Sequence, residues 1–263
     1  MGSISLPYLR DNPKVIFFTD FDGTITLKDS NDFITDNLGY GYERRRAMSD
    51  EVLYERMSFR DAFRDMLDSV KTPFNECIDQ LKKAVKLDPY FVEFYEWAKA
   101  NNVPIVVLSS GMIPIISALL ENLLGYKPED LHIVANDVVS RDGKDINSEA
   151  GWEIQFHDDS HFGHDKSLEI RPYAALPIEE RPTLLYAGDG ISDLSAASET
   201  DLLFAKKGHD LVNYCVRQGM PFTVFEDWSS ILDVTKDILS GNMSVKNVAQ
   251  EQERTVHKDE NKQ

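Results

Sequence analysis

A chain of 263 residues is long enough to bury one large α/β core, or a core carrying an inserted second unit. Its 45 acidic against 28 basic side chains give a formal charge of -17, which excludes nucleic acid and anionic membrane surfaces as partners over most of its area. Two cysteines, Cys77 and Cys215, make neither a secreted disulfide framework nor a zinc site, and no apolar run approaches membrane-spanning length, so a reducing cytoplasm is expected.

Residues 1–13 mix polar side chains with proline, lack the apolar core of a signal peptide, and read as an N-terminal extension. The run from Val15 to Thr19 is strand-like and ends in Asp20-Phe21-Asp22-Gly23-Thr24. Ligands bind at the carboxyl ends of strands in an open α/β sheet, so two acids one residue apart there mark a site, unless they are merely an Asp-rich turn. Such acids repel each other, and a divalent cation or a shared proton relieves them. Asp20 could then approach a phosphate while Asp22 holds or releases a proton at the leaving oxygen. Gly23 would leave backbone N–H groups open to the phosphate, and the Thr24 hydroxyl would add a hydrogen bond.

Residues 28–102 change to helical spacing. Phe59, Phe63, Met66, Leu67 and Val70 form one stripe, and Phe74, Ile78, Leu81 and Val85 another, which predicts a helical bundle inserted between strands. Both stripes read as core. The Arg44-Arg45-Arg46 run reads as solvated. A helix carrying Phe91, Phe94 and Trp97 leads into a continuous apolar run over 103–108, a strand covered on both faces. It ends in Ser109-Ser110-Gly111 ahead of a helix that stops at Gly125, which is either an anion site or a simple N-cap. Residues 131–135 predict a third strand, with a turn at Asp142-Gly143 and a returning strand over 152–156. In the polar loop that follows, His157, His161 and His164 are expected to be solvated or to orient the backbone, because the carboxylates suit a hard cation better. Lys166 opens a helix and could bring a point charge to a phosphate. A further strand over 183–187 ends in Gly188-Asp189-Gly190-Ile191-Ser192-Asp193, where both acids could face one cation. Strands over 201–205 and 221–225 and helices from about His209 and Trp228 complete the core. Residues 242–263 read as a disordered polar tail.

An Asp-x-Asp, a serine after an apolar strand, a lysine and a Gly-Asp-Gly-x-x-Asp, in that order, resemble the haloacid dehalogenase superfamily of phosphatases. The resemblance implies an α/β fold: a Rossmann-like core with a parallel sheet, over 14–27 and 103–241, and an inserted helical cap over 28–102. It implies that Asp20 is the nucleophile, Asp22 the general acid and base, Ser109 a phosphate ligand and Lys166 the neutralising cation. Mg2+ would be held by Asp20, the Asp22 backbone carbonyl and Asp189, with Asp193 supporting the metal site. Asp22 also separates the chain from the dehalogenases themselves, which lack an acid there.

The stretches Asp-Phe-Asp-Gly-Thr-Ile-Thr-Leu-Lys-Asp-Ser-Asn-Asp, Ser-Ser-Gly-Met, Phe-Gly-His-Asp-Lys-Ser and Gly-Asp-Gly-Ile-Ser-Asp-Leu-Ser-Ala-Ala resemble the phosphoserine phosphatase branch, and within it fungal proteins linked to polyol phosphates. Asp29 falls where that branch carries a glutamate, Arg64 near its carboxylate-gripping arginine, Ser192 where asparagine is usual and Ser110 where glycine is frequent. Asp29 and Arg64 are therefore candidate substrate contacts with Gly23, Thr24, Ser110 and Gly111, although Arg64 could equally ride a solvated helix face. The expected function is Mg2+-dependent hydrolysis of small phosphorylated metabolites, polyol phosphates first. Phosphoserine or a thio-sugar enol phosphate is the same-fold alternative, and a phospho-aspartate switch or binding module the alternative of another class.

Overall fold

The computed structural model describes residues 6–249. Its strands are β1 (Val15–Thr19), β2 (Ile105–Met112), β3 (Leu131–Ser140), β4 (Trp152–Gln155), β5 (Thr183–Gly188), β6 (Leu202–Lys206) and β7 (Thr223–Phe225). They form one sheet in the order β4-β3-β2-β1-β5-β6-β7, parallel throughout except where β4 runs back along β3. Chain reversal between β1 and its two neighbours brings the carboxyl ends of β1, β2 and β5 together at the centre, the crevice position of an open sheet.

Both faces of the sheet are covered, which is why its central strands read as unbroken apolar runs. The alternation of side chains along β1 sends Val15 and Phe17 into one cluster and Ile16 and Phe18 into another. On the first face Phe17 meets Phe94 with ring centroids 4.8 Å apart, and Phe94 meets Trp228 at 4.7 Å. Those partners lie on α5 (Phe91–Ala100) and the last helix. On the second face, Phe18 packs with Ile170, Tyr173 and Leu211.

Four more helices lie between β1 and β2: α1 (Ser30–Leu38), α2 (Tyr42–Leu53), α3 (Phe59–Asp68) and α4 (Phe74–Ala84). The two linkers joining this insertion to the sheet pair with each other. The Leu27 N–H donates to the Lys86 carbonyl at 2.9 Å, and the Asp88 N–H to the Ile25 carbonyl at 2.9 Å. Within the stretch 28–102, α5 meets the sheet where Phe94 packs on Phe17, while α1 to α4 lie beyond the linkers. The insertion is also tied to the loop between β3 and β4: Phe74 N–H donates to the Ile146 carbonyl at 3.1 Å and Trp152 Nε1 to the Thr72 carbonyl at 2.9 Å.

The remaining helices are α6 (Ile113–Leu124), α7 (Lys166–Ala174), α8 (Leu194–Ala197), α9 (Asp210–Gln218) and α10 (Trp228–Ser240). Both ends of the described chain are more ordered than their composition suggests. Tyr8 stacks on Tyr173 with centroids 5.4 Å apart. Met243, Val245, Val248 and Ala249, within the stretch expected to be a polar tail from 242, pack on the core. Four apolar side chains within seven residues are too short a run to show a period. Residues 1–5 and 250–263 of the extension and tail lie outside the described residues.

Candidate active site

Asp20 follows β1, Ser109 lies in β2 and Asp189 follows β5, so the sheet itself delivers these groups to one place. Carboxylate oxygens of Asp20, Asp189 and Asp193 lie within 4.8 Å of one another. Lys166, the first residue of α7, is fully buried among them; its Nζ donates to Asp20 Oδ1 at 2.9 Å and to Asp193 Oδ1 at 2.6 Å. Tyr186 adds its hydroxyl to Asp193 Oδ1 at 2.5 Å, while the other oxygen of Asp193 accepts the N–H groups of Asp189 and Gly190, each at 2.9 Å. Asp193 is therefore committed to ordering Lys166 and the β5 loop. Asp20 keeps Oδ2 and Asp189 keeps Oδ1 for anything else.

Charge follows from this geometry. Burial raises the Asp20 pKa well above the usual carboxylate range; Lys166 opposes it, and Asp193 and Asp189 reinforce it. Burial also raises Asp189, against a hydrogen bond from His209 Nδ1 at 3.0 Å. Burial works against the Lys166 charge, but Asp193 and Asp20 more than offset it, and its pKa rises. One lysine among three clustered acids, two of them buried, leaves an excess of negative oxygen that a hard cation would relieve. The donor set is all carboxylate, and among the described residues no histidine or cysteine joins it, which fits Mg2+ or a similar ion better than zinc.

Asp22 stands apart from that cluster. Its Oδ1 accepts the Ser30 N–H at 2.7 Å and its Oδ2 accepts Asn31 Nδ2 at 3.0 Å. Burial and the Asp29 charge raise its pKa well above the usual carboxylate range, the direction a proton donor to the leaving oxygen needs. Asp29 caps α1, accepting the N–H groups of Asn31 and Asp32 at 2.7 and 2.9 Å, and this cap aims Ser30 and Asn31 at Asp22.

Asp20, Asp22, Asp29, Ser109, Ser110, Gly111, Asp189 and Ser192 all line a cavity of about 180 Å³. Neither serine caps α6, because β2 runs on to Met112 before that helix begins. The β2–β3 register instead shifts between Ser109 and Met112, and the Gly111 N–H donates to Ser109 Oγ at 3.0 Å. A side chain at Gly111 would stand 3.1 Å from Asp22 Oδ2, so its absence keeps the approach to that acid open.

Gly23 and Thr24 do not line the cavity, contrary to the expectation from sequence. The Gly23 N–H donates to Thr26 Oγ1 at 3.2 Å, and Thr24 is fully buried with its carbonyl accepting Trp228 Nε1 at 2.9 Å. What Gly23 provides is room: with φ at +76°, a Cβ there would sit 2.3 Å from Asp189 Oδ2. Gly23→Ala is expected to displace Asp189 and lower kcat by about 100-fold, with about 1–2 kcal/mol of left-handed backbone cost on top. Steady-state kinetics beside a urea melt would check this; an alanine variant with normal turnover contradicts it.

Arg64 is exposed, its guanidinium 5.0 Å from the centroid of the Phe156 ring, and it too is absent from the cavity wall. Arg45, expected to be solvated with Arg44 and Arg46, is buried and lines the cavity. It pairs with Asp32 at 2.6 Å and Asp36 at 2.7 Å. Nothing near Arg45 in the sequence reveals this, because both partners sit on the preceding helix; only their spacing of four on α1 hints at a common target. Tyr186 and Asn31 were missed because each looks like an ordinary strand or helix residue.

His164 is fully buried and its Nδ1–H donates to the Ser109 carbonyl at 2.8 Å, holding the strand at its irregular point. Burial pushes its pKa down to about 4. A folded value below the unfolded one (about 6.5) means the histidine contributes no penalty above that pH and costs the fold up to about 3 kcal/mol as pH falls towards 4. In urea titrations at pH 7.5 and 4.5, His164→Asn should lose less stability on acidification than the unmodified chain; equal losses would refute that assignment.

The profile of haloacid dehalogenase-like hydrolases matches residues 17–198. "Pdp3-interacting factor 1" of Schizosaccharomyces pombe is 51% identical over 231 residues, covering 88% of this chain and 97% of its own. "Polyol phosphate phosphatase PYP1" of Saccharomyces cerevisiae is 48% identical over 238 residues, covering 88% of this chain and 97% of its own. Among solved structures, a phosphoserine phosphatase with a phospho-aspartyl intermediate analogue aligns with a TM-score of 0.61 at 19% identity, over 84% of this chain and 98% of that one, a likeness of fold.

Proposed function

The chain belongs to the haloacid dehalogenase-like hydrolase family and is a phosphatase of it; from that premise we propose that it hydrolyses small phosphomonoesters, polyol phosphates first, through a phosphorylated Asp20. The observation that carries the reading is the pair of oxygens, Asp20 Oδ2 and Asp189 Oδ1, left uncommitted at the end of the sheet while Lys166 holds the other oxygen of Asp20.

Asp20 attacks phosphorus in line, forming an acyl phosphate as the bond to the leaving oxygen breaks, and Asp22 gives that oxygen its proton. Asp22, now ionised, takes a proton from water as the water attacks the same phosphorus, which releases phosphate and restores Asp20. The Ser109 hydroxyl and the Lys166 ammonium face the phosphoryl oxygens and lower the cost of bringing an anion to a carboxylate. Mg2+ is the proposed ion; Asp20, Asp189 and the Asp22 carbonyl would hold it, and it would supply charge neutralisation at the phosphoryl oxygens. Asp193 acts through Lys166 and the β5 loop. Helices α1 to α4 serve as the cap, which keeps bulk water from the acyl phosphate. Buried, unpaired cysteines and the absence of any helix long and apolar enough to cross a membrane among the described residues are compatible with a cytoplasmic site of action.

The alternatives are not favoured. An amino-acid substrate needs a cation for its carboxylate, whereas Arg64 is outside the cavity and the charge of Arg45, which keeps N–H groups free, is already balanced by two acids. A durable phospho-aspartate switch would not hold a proton-bearing acid such as Asp22 against its acyl phosphate.

The test is release of nitrophenol from p-nitrophenyl phosphate with Mg2+, then kcat/KM on glycerol phosphate, ribitol phosphate, phosphoserine and an enol phosphate. Multiple turnovers abolished by EDTA, with a polyol phosphate leading the panel, are expected. Stoichiometric labelling without release, or a marked lead for phosphoserine, would overturn the reading.

A further inference from the structure

We propose that Asp32 and Arg45 are the specificity-determining pair of this site, reading the hydroxyl groups of a neutral leaving group and turning anionic ones away. The inference rests on the phosphatase reading above and concerns the wall of the cavity away from the phosphoryl groups.

Helix α2 buries one residue, Arg45. Its Nε and Nη2 donate to the two oxygens of Asp36 at 2.7 and 3.0 Å, and its Nη1 meets Asp32 Oδ2 at 2.6 Å. A guanidinium has five N–H donors in a fixed fork, so this leaves about two for a ligand. Asp32 likewise keeps Oδ1, which accepts no hydrogen bond among the described residues, and its side chain is 38% exposed where it borders the cavity. An acceptor beside a donor matches adjacent hydroxyls, each of which gives one proton and accepts another.

Charge points the same way. Asp29, Asp32 and Asp36 outnumber the one guanidinium, and burial together with the Asp29 charge already pushes Asp32 up to about 8, so a carboxylate or second phosphate on the leaving group would add charge to a wall that already resists it. A separate observation concerns ligand polarity: Asn31 Oδ1 and Ser110 Oγ line the same cavity, are buried, and have no hydrogen-bond partner among the described residues. Buried polar atoms are rarely left unmade, and hydroxyl groups of a ligand would complete them. Met48, Val52 and Phe63 supply apolar surface for the carbon chain.

The test uses the full chain with Mg2+, in the unmodified form and as Asp32→Asn and Arg45→Lys. A lysine keeps the charge but cannot span both acids and the ligand. Lost hydrogen bonds to charged groups predict that KM for ribitol phosphate rises about tenfold or more in both variants. Turnover of p-nitrophenyl phosphate, which has no hydroxyl to read, should stay within about threefold. Asp32→Asn should also gain activity on phosphoserine, an effect that misfolding cannot produce. Equal losses on ribitol phosphate and p-nitrophenyl phosphate would mean that the pair only holds α2, and unchanged KM values would mean that it touches no substrate; either result overturns the proposal. If the unmodified protein turns over p-nitrophenyl phosphate but not ribitol phosphate, the polyol reading fails first, and this inference falls with it.

Discussion

Asp20→Asn should abolish turnover, by about 10⁴-fold or more, while leaving the fold as stable as before or more so. The amide keeps the size of the side chain and can still accept a hydrogen bond from Lys166, but it is no nucleophile towards phosphorus. The stability half of the prediction comes from electrostatics. Burial, Asp193 and Asp189 all disfavour ionised Asp20, and Lys166 keeps Asp193 as a partner at 2.6 Å when Asp20 is neutralised. A residue that costs stability and carries the reaction is what a strained catalytic position looks like. Kinetics on p-nitrophenyl phosphate together with a thermal melt would measure both halves. Residual activity within about tenfold of the unmodified chain would remove Asp20 from the role assigned to it.

Lys166→Met should lower kcat by about 10³-fold and, unlike the first variant, weaken the fold. The ammonium is fully buried and neutralises Asp20 and Asp193 together, so its loss strands two buried carboxylates. Removing one partner of a buried ion pair costs about 3–5 kcal/mol, which for a domain of this size lowers Tm by roughly 10 °C. Neutralising Asp193 in the same chain, Lys166→Met with Asp193→Asn, should recover part of the melting temperature and none of the turnover. If the single variant melts normally, the lysine is not the counter-ion the geometry makes it.

Much of the frame was legible because the central strands are buried on both faces. Val15 to Thr19 and Leu184 to Ala187 could only be runs of apolar residues, and the acids at their ends had nowhere to go but the open edge of the sheet. The illegible parts are those decided by partners far away in the chain. Gly23 makes room for a carboxylate that follows β5, a requirement set 166 residues later at Asp189 and invisible in its local sequence. Arg45 looked like its exposed neighbours because the acids that bury it belong to another helix. Helix α5 shares its spacing with the helices before it, and its place on the sheet is set by Phe17 of β1 together with Trp228, which arrives near the end of the core. The three histidines after β4 show the same limit from the other side. His164 is a backbone clamp for Ser109, as expected of an orienting imidazole, yet nothing in its neighbourhood distinguished it from His161.

The most direct measurement is a single turnover of ³²P-labelled p-nitrophenyl phosphate, whose nitrophenolate leaves without a proton, on the Asp22→Asn variant with Mg2+, quenched and mapped by mass spectrometry. The missing acid does not hinder departure of nitrophenolate, but the missing base should stall Asp22→Asn after phosphoryl transfer, so the label should accumulate on Asp20 and vanish when EDTA is present. Phosphate released with no labelled protein at any time, or a label that maps to another residue, would contradict the mechanism at its first step.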